Sequence, residues 1–302
     1  MSPVPDGPTI EWHPALLLEP EPRDARFALL ILNQPLNDLQ TLARLWQNST
    51  FHIAADGGAN RLYDSNRRLA ASKGHDLRDR LAQVDSPSPQ AGLDVIIGDL
   101  DSLLPETQEY FESANPSLQV IHEADQYSTD FAKAVRHTRS VTAKAGFGPA
   151  DIVCMGGLGG RVDQGLSQLH HLYLFQTSPT YSEGRLYLVS GESLSFLLKA
   201  GRHRIHVREP SEPGPLADGV QSEAQGRWAE EVFGKHAGII PVKEPSVITL
   251  KGFEWDVEDW PTEFGGQLST SNHVLPESEV VEVWTSTDVL FTIALKGRGG
   301  ED

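Results

Sequence analysis

The chain has a single cysteine, Cys154, set in the apolar run DIVCM, so no internal disulfide can staple the fold and a reducing compartment suits it. Its setting reads as that of a small core residue. Basic residues are also scarce: 25 Lys+Arg stand against 42 Asp+Glu, a formal charge of −17, and no segregated basic patch offsets it. A field of that sign repels phosphate backbones, which argues against nucleic acid as a partner and favours a cationic ligand. A phosphorylated ligand would have to be held by metal ions, backbone N–H groups or a few placed cations. No apolar stretch reaches 18 residues, and the N-terminus, MSPVPDGPTIEWHP, lacks a basic region followed by an apolar run. Neither a membrane span nor a signal peptide is therefore expected, and the chain reads as soluble and cytoplasmic.

What is present is an alternation. Six prolines in the first 25 residues make an extended, irregular arm (1–26) in which Ile10, Trp12 and Leu16 to Leu18 can pack on a body. FALLIL (27–32), FHIAA (51–55), LDVII (93–97), LQVI (118–121) and DIVCM (151–155) are short apolar runs of strand length. Between them lie segments at helical spacing: 36–46, 59–69, 105–113, 128–145 closed by Gly146, and 162–176. Strand and helix in turn predict an α/β domain, a Rossmann-like parallel sheet in a three-layer arrangement, over 27–184. From 185 to 302 the candidates are strands alone, which predicts a second, all-β sandwich domain. Residues 70–92 and 209–234, mixed in charge and rich in Ser, Pro and Gly, read as insertions.

In an open parallel sheet, ligands bind beyond the carboxyl ends of the strands, and here those ends carry acidic or glycine-rich turns. Ala55 leads to Asp56, Gly57, Gly58 and Asn60; Ile97 leads to Gly98, Asp99 and Asp101; Ile121 leads to Asp125, Gln126 and Asp130; Met155 leads to GGLGGR. A lone D-x-D is the composition of an ordinary polar turn. Acidic turns repeated along one edge are better explained by a divalent cation that neutralises them, with Asp99, Asp101 and Asp130 as hard oxygen ligands for Mg2+. Gly156, Gly157, Gly159 and Gly160 precede a helix, so their N–H groups can cradle phosphates, although the spacing does not match G-x-G-x-x-G. Arg161 and Lys133 are the cations placed to meet a phosphate. In the all-β region Trp255 is either a core aromatic or a cover for a cationic ligand, and His170 and His171 read as packing or surface residues.

Taken together, AADGGANRLYD (54–64), VIIGDLDSL (95–103), DQYSTDFAKAV (125–135), GGLGGRVDQ (156–164), AGIIPV (237–242), GFEWDV (252–257) and LSTSN (268–272) resemble the thiamin pyrophosphokinase family, in the family's order. The resemblance implies an α/β domain joined to a β-sandwich, a homodimer with active sites between subunits, and transfer of the diphosphoryl group of ATP to thiamin, giving thiamin diphosphate and AMP. It implies that Asp99, Asp101 and Asp130 hold Mg2+, and that Asp56, Gly57, Gly58, Asn60 and the glycines of 156–160 help to seat ATP. It also places Gln126, Asp163, Trp255, Ser269, Ser271 and Asn272 on the thiamin side; a carboxylate near the hydroxyl, Asp125 or Asp130, is expected to accept its proton, and the sequence does not choose between them. Three positions depart from the family's pattern: Gln164 where His is frequent, Ala237 where Cys is frequent, and Glu254 where Lys is common. Two other readings compete: another Mg-ATP pyrophosphokinase or kinase of a small alcohol, and a module that binds thiamin or nucleotide without catalysis. An oxidoreductase fits poorly, because the first βαβ unit lacks the dinucleotide fingerprint with its following acidic residue.

Overall fold

A computed structural model describes residues 7–19, 27–71, 92–144, 148–209 and 231–296. Gly146 and most of the two expected insertions lie outside the described residues. In chain order the strands are β1 (Ile10–Trp12), β2 (Phe27–Ile31), β3 (Phe51–Ala55), β4 (Val95–Gly98), β5 (Gln119–His122), β6 (Asp151–Met155), β7 (Leu186–Val189) and β8 (Ser193–Leu198). They continue with β9 (Gly201–His206), β10 (Phe233–Ile240), β11 (Ser246–Lys251), β12 (Val257–Thr262), β13 (Ser269–His273), β14 (Val280–Thr285) and β15 (Val289–Leu295). The helices are α1 (Leu39–Asn48), α2 (Gly58–Ala71), α3 (Pro105–Ala114), α4 (Asp130–Lys144) and α5 (Val162–Phe175).

The chain divides into two compact units, one of residues 24–191 and one of residues 1–23 with 192–302. In the first, β7, β6, β2, β3, β4 and β5 lie side by side in that order, every pairing parallel. The central strands are largely apolar because both of their faces are covered; Leu29, Leu30, Ile31, Ile53 and Ile96 are all 0 % exposed. Right-handed crossovers put α1, α2 and α3 on one face and α4 and α5 on the other, the expected three-layer α/β arrangement. Starting from β2, the chain steps outward to β5 and then returns to β6 on the other side of β2. The switch point of the sheet therefore falls between β2 and β6, where a crevice opens at the carboxyl edge.

One expectation about the boundary needs correction. The all-β region was expected to begin at 185, yet β7 pairs parallel with β6, Ile152 opposite Leu186 through Met155 opposite Val189, and the compact α/β unit closes at Gly191. The reason is visible in the strand itself: LYLV is buried at all of its residues, the pattern of a strand covered on both faces.

The second unit packs two sheets face to face. One has the order β1-β9-β14-β11-β12, and the other contains β13, β10, β15 and β8. The N-terminal arm is part of this unit, because β1 pairs parallel with β9, Ile10 opposite His203 through Trp12 opposite Ile205. Trp12 is 0 % exposed, donates its indole N–H to His203 Nδ1 at 3.0 Å and stacks on Phe196 of the opposite sheet, with ring centroids 4.4 Å apart. A buried indole satisfied in this way anchors the arm through both area and a hydrogen bond. Replacing Trp12 by Ala is expected to destabilise the protein by about 3–5 kcal/mol, read as a lowered urea midpoint; an unchanged midpoint would show that the arm contributes nothing to the core.

Candidate active site

Four turns meet at the carboxyl edge of the α/β unit. After β3, Asp56 sits in the left-handed region at φ 43° and donates its backbone N–H to Ile97 O at 2.9 Å, so the turn is tied to β4. A left-handed conformation at a residue other than glycine is uncommon and is held here by its surroundings. At Gly58 a Cβ would lie 2.3 Å from Ile31 O, so only glycine lets α2 begin this close to β2. After β4 the chain turns through Leu100 at φ 61°, and Asn60 fixes the loop from below. Its amide donates to Ser102 O at 2.7 Å and accepts from Leu104 N at 3.1 Å. Asn60, expected among the nucleotide ligands, thus positions the D-x-D loop.

The carboxylates converge. One oxygen from each of Asp56, Asp99 and Asp101 lies within 4.8 Å of the others. Asp56 is 4 % exposed; its Oδ2 accepts from Ser102 N at 3.3 Å, while Oδ1 is buried without a hydrogen-bond partner. Burial, then repulsion from Asp130, raises the Asp56 pKa above the ordinary carboxylate value. A buried carboxylate with one unsatisfied oxygen, clustered with two further carboxylates, is an arrangement that a hard divalent cation satisfies, so these residues fit Mg2+. The expected trio was Asp99, Asp101 and Asp130; geometry draws in Asp56, and Asp130 stands beside the trio in an ion pair with Lys133 Nζ at 3.0 Å. Lys133 is 2 % exposed, a cation held under the site rather than one projecting into solvent.

The start of α4 is set by Thr129, whose hydroxyl accepts from Ala132 N at 3.1 Å as an N-cap. His171, 3 % exposed, has its Nδ1 on Ser167 O, which leaves Nε2 to accept the Thr129 O–H at 2.8 Å. His171 is thus a buried packing residue, as expected, and through Thr129 it also orients the turn that carries Asp130. Nothing in its sequence position signals that second role. Asp125 is exposed and accepts from Tyr127 N at 2.9 Å; hydrogen bonds from Ser128 and Tyr127 hold its carboxyl below the ordinary range.

After β6, Gly156 (φ 80°), Gly159 (φ 110°) and Gly160 (φ 69°) form the glycine-rich turn, Gly157 with them, and a Cβ at Gly156 would meet Leu32 O at 2.7 Å. Arg161 and Asp163, expected on different ligands, are paired with each other: Nη2 to Oδ2 is 2.6 Å and Nε to Oδ1 is 3.1 Å, both residues well exposed. The crevice enclosed by these turns has a volume of about 490 Å3; its lining includes Asp56, Asp99, Asp101, Gln126, Asp130 and Gly157. That is the size range of a small-molecule site. Asn33, Gln34 and Gln168 also line it, and no motif had singled them out.

In the all-β unit Trp255 is 53 % exposed, so it is not a core aromatic. Asn272 is 3 % exposed and clamps the backbone of Trp255, accepting from its N at 3.2 Å and donating to its O at 3.0 Å. Asn272 therefore braces the Trp255 turn. Ser271, at φ 54°, is exposed on β13, while Ser269 is half-buried opposite Ile239 of β10. Glu254, one of the departures from the family pattern, bonds His273 Nδ1 at 2.6 Å, and Ala237 is a buried residue of β10.

A doubly wound sheet with an acidic, glycine-lined crevice at its switch point, followed in the chain by a separate β-sandwich, defines a two-domain protein of the phosphoryl-transfer type. The comparisons agree in detail. Residues 42–181 match the thiamin pyrophosphokinase catalytic domain and residues 202–290 the thiamin pyrophosphokinase vitamin B1 binding domain. Thiamine pyrophosphokinase 3 of Oryza sativa subsp. japonica is 33 % identical over 275 residues, 90 % of this chain and 88 % of the relative. Thiamine pyrophosphokinase of Saccharomyces cerevisiae is 25 % identical, covering 90 % of this chain and 86 % of the relative. The solved structure of thiamin pyrophosphokinase from Candida albicans superposes with a TM-score of 0.69 at 22 % identity, covering 98 % of this chain and 96 % of that one. The chain belongs to the thiamin pyrophosphokinase family.

Asp56 yields a test of the site's electrostatics. Its raised pKa means that ionisation costs stability as pH rises through the window above the ordinary carboxylate value, and the cost persists at neutral pH. Asp56→Asn keeps the shape and removes the charge, so the metal-free protein should show a higher urea midpoint at pH 7 and lose the stabilisation that added Mg2+ gives the native chain. A lower midpoint would mean that the carboxylate is satisfied without a cation.

Proposed function

We propose that the chain transfers the diphosphoryl group of Mg-ATP to the hydroxyl of thiamin, giving thiamin diphosphate and AMP. The observation that carries the site assignment is the buried, unpartnered Oδ1 of Asp56 inside a cluster with Asp99 and Asp101 at the switch point of the sheet. Asp56, Asp99 and Asp101 would hold Mg2+, with Asp130 next to them. The ion supplies charge neutralisation on the phosphate oxygens of the transferred group. The chain's own residues do the rest: N–H groups of the turn at Gly156 to Gly160 cradle the phosphates, and Lys133 adds a buried positive charge beneath them.

The hydroxyl oxygen of thiamin forms a bond to the β-phosphorus, the bond from that phosphorus to the oxygen bridging it to the α-phosphate breaks, and AMP leaves with that oxygen. The hydroxyl proton passes to a carboxylate. Asp125 and Asp130 are the two candidates: hydrogen bonds from Ser128 and Tyr127 stabilise the ionised form of Asp125, and Asp130 is held by its ion pair with Lys133, so neither is singled out as the base. The thiazolium cation of thiamin suits an acidic protein; in the all-β unit the exposed face of Trp255 offers cation–π contact with Ser269 and Ser271 as polar candidates, and in the α/β unit Gln126 and Asp163 are separate candidates.

The assembly we propose is a homodimer, with each site completed by a partner subunit. Support comes from α5, where Val162, Leu166 and Leu174 repeat at helical spacing and are 77 %, 59 % and 46 % exposed, and from Tyr127 at the crevice, fully exposed. Apolar surface beside a polar crevice is what a second copy would cover. Among the described residues no helix is long and apolar enough to cross a membrane. The proposed setting is the cytosol, where a buried Cys154, its thiol pushed far up by burial, stays reduced and inert.

Incubation with thiamin, ATP and Mg2+ should give AMP and thiamin diphosphate in equal amounts; ligand binding without AMP would favour the non-catalytic reading. Asp101→Asn should lower turnover by roughly 100-fold or more, whereas near-native turnover would remove Asp101 from the metal site. Trp255→Ala should raise the KM for thiamin by about 5- to 30-fold with the KM for ATP unchanged, the size of a cation–π contact of 1–2 kcal/mol; an unaltered KM for thiamin would place the cation elsewhere.

A further inference from the structure

Outside the acidic crevice, one cluster of side chains has the composition of a transition-metal site. It lies entirely within the all-β unit, where β1 runs parallel to β9 with Glu11 opposite Arg204 and Trp12 opposite Ile205. One step further along that register His13 meets His206, and their rings stack with centroids 4.1 Å apart and planes 21° from parallel. Glu209 follows shortly after β9; it is 8 % exposed, and its Oε1 lies 2.7 Å from His13 Nδ1. One ligand atom from each of His13, His206 and Glu209 falls within 4.8 Å of both others.

The surroundings select which nitrogen of His206 is available. Its Nε2 lies 2.8 Å from Glu11 Oε2, and Arg204 donates to the other oxygen of Glu11 at 3.0 Å. A carboxylate fixed by an arginine favours the tautomer with the proton on Nε2, which makes Nδ1 the ligand atom that the proposal assigns to His206. Carboxylate, imidazole and metal in that order is the outer-shell arrangement that orients histidine ligands. Glu209 supplies the second argument. A carboxylate nine-tenths removed from water needs a charge partner, and among the described residues its hydrogen-bond partner is the half-exposed His13.

We infer that His13, His206 and Glu209 bind a first-row divalent transition metal of the Zn2+ class, with Glu11 positioning His206. Two imidazoles and a carboxylate form a mixed nitrogen and oxygen set, which suits Zn2+ or Co2+ and not Mg2+, whose sites are built from oxygen. Tetrahedral bonds of about 2.0–2.1 Å bring ligand atoms to about 3.3 Å from one another. The set closes to that distance mainly by rotation of His13, the member that is 42 % exposed, and water completes the coordination. The ion fastens the N-terminal strand to β9 and to the chain beyond it, so its role is to clip the sandwich rather than to serve the phosphoryl-transfer crevice.

The test uses the full-length chain, stripped with chelator and returned to buffer containing excess Mg2+ so that the aspartate cluster is occupied by the ion it prefers. Zn2+ is then titrated against a chromophoric chelator, and Co2+ is added to a parallel sample. The expected result is one tight Zn2+ per chain, a visible tetrahedral Co2+ spectrum and a Zn2+-dependent rise in melting temperature. Asp101→Asn should leave all three unchanged. His13→Ala and His206→Gln should each weaken binding by at least about 100-fold and abolish the spectrum, and Glu11→Gln should weaken it by about 10-fold. Absence of tight Zn2+ in the native chain, or equal affinity in the native chain, His13→Ala and His206→Gln, would overturn the inference.

Discussion

Three carboxylates at one sheet edge are the constraint around which the α/β unit is organised. Asp56, Asp99 and Asp101 repel one another, and Asp56 does so while buried, with Oδ1 unsatisfied and its pKa raised. Burying a lone ionised carboxylate is costly, and a fold retains such an arrangement where a ligand repays it. The local backbone is built to hold the charges together: Asp56 and Leu100 are both left-handed, and Asn60 pins the loop that carries Asp99 and Asp101. Gly98 belongs to the same device, since a Cβ there would lie 2.7 Å from Asp56 Cβ and 3.1 Å from Asp130 Oδ1. The carboxylates are therefore held together by several elements at once.

Topology decides why this happens where it does. Because β3 and β4 are adjacent and parallel, their carboxyl ends emerge side by side, and Asp56 N bonds Ile97 O across them. Because β2 and β6 flank the switch point, the glycine turn at 156–160 faces the ends of the acidic turns across an open crevice. A parallel sheet thereby places an acidic edge opposite a glycine turn, the pairing that a metal-bound polyphosphate would need. The net charge of −17 is compatible with such a ligand because phosphate would meet metal and backbone N–H groups rather than the bulk surface.

Much of this was legible in the sequence, and the exceptions have physical causes. The strands of the α/β unit were readable because both of their faces are buried, which makes FALLI, DVIIG and DIVCM continuous in apolar character. LYLV carries the same signal, yet the strand-only rhythm that follows drew it into the wrong unit. Strands β12 (VEDWPT) and β13 (STSNH) were not legible as strands, being largely exposed and polar. The acidic edge was readable from repeated Asp after successive strands; the inclusion of Asp56 in the trio was not, because it depends on a left-handed φ. The support that His171 gives to Thr129 joins α5 to the start of α4 and leaves no trace in local spacing. The meeting of His13 with His206 depends on parallel register between distant strands, and a reading that treated residues 1–26 as an irregular arm had no means of aligning them.

The pairing of Arg161 with Asp163 bears on how the crevice changes when it fills. Each shifts the other toward its charged form, the Asp163 pKa falling and the Arg161 pKa rising, but both stand in solvent at 61 % and 75 % side-chain exposure. An ion pair that exposed is screened and contributes little to folding. It can be exchanged at small cost for stronger charge-assisted bonds, guanidinium to phosphate and carboxylate to a cationic substrate. Lys133 contrasts with it: at 2 % exposure and held on Asp130, it cannot swing out to meet a ligand, so its charge acts as a fixed part of the field. Asp56 and Lys133 are buried and, with Asp130, form a fixed floor of charge, whereas Arg161 and Asp163 stand in solvent as a weak ion pair.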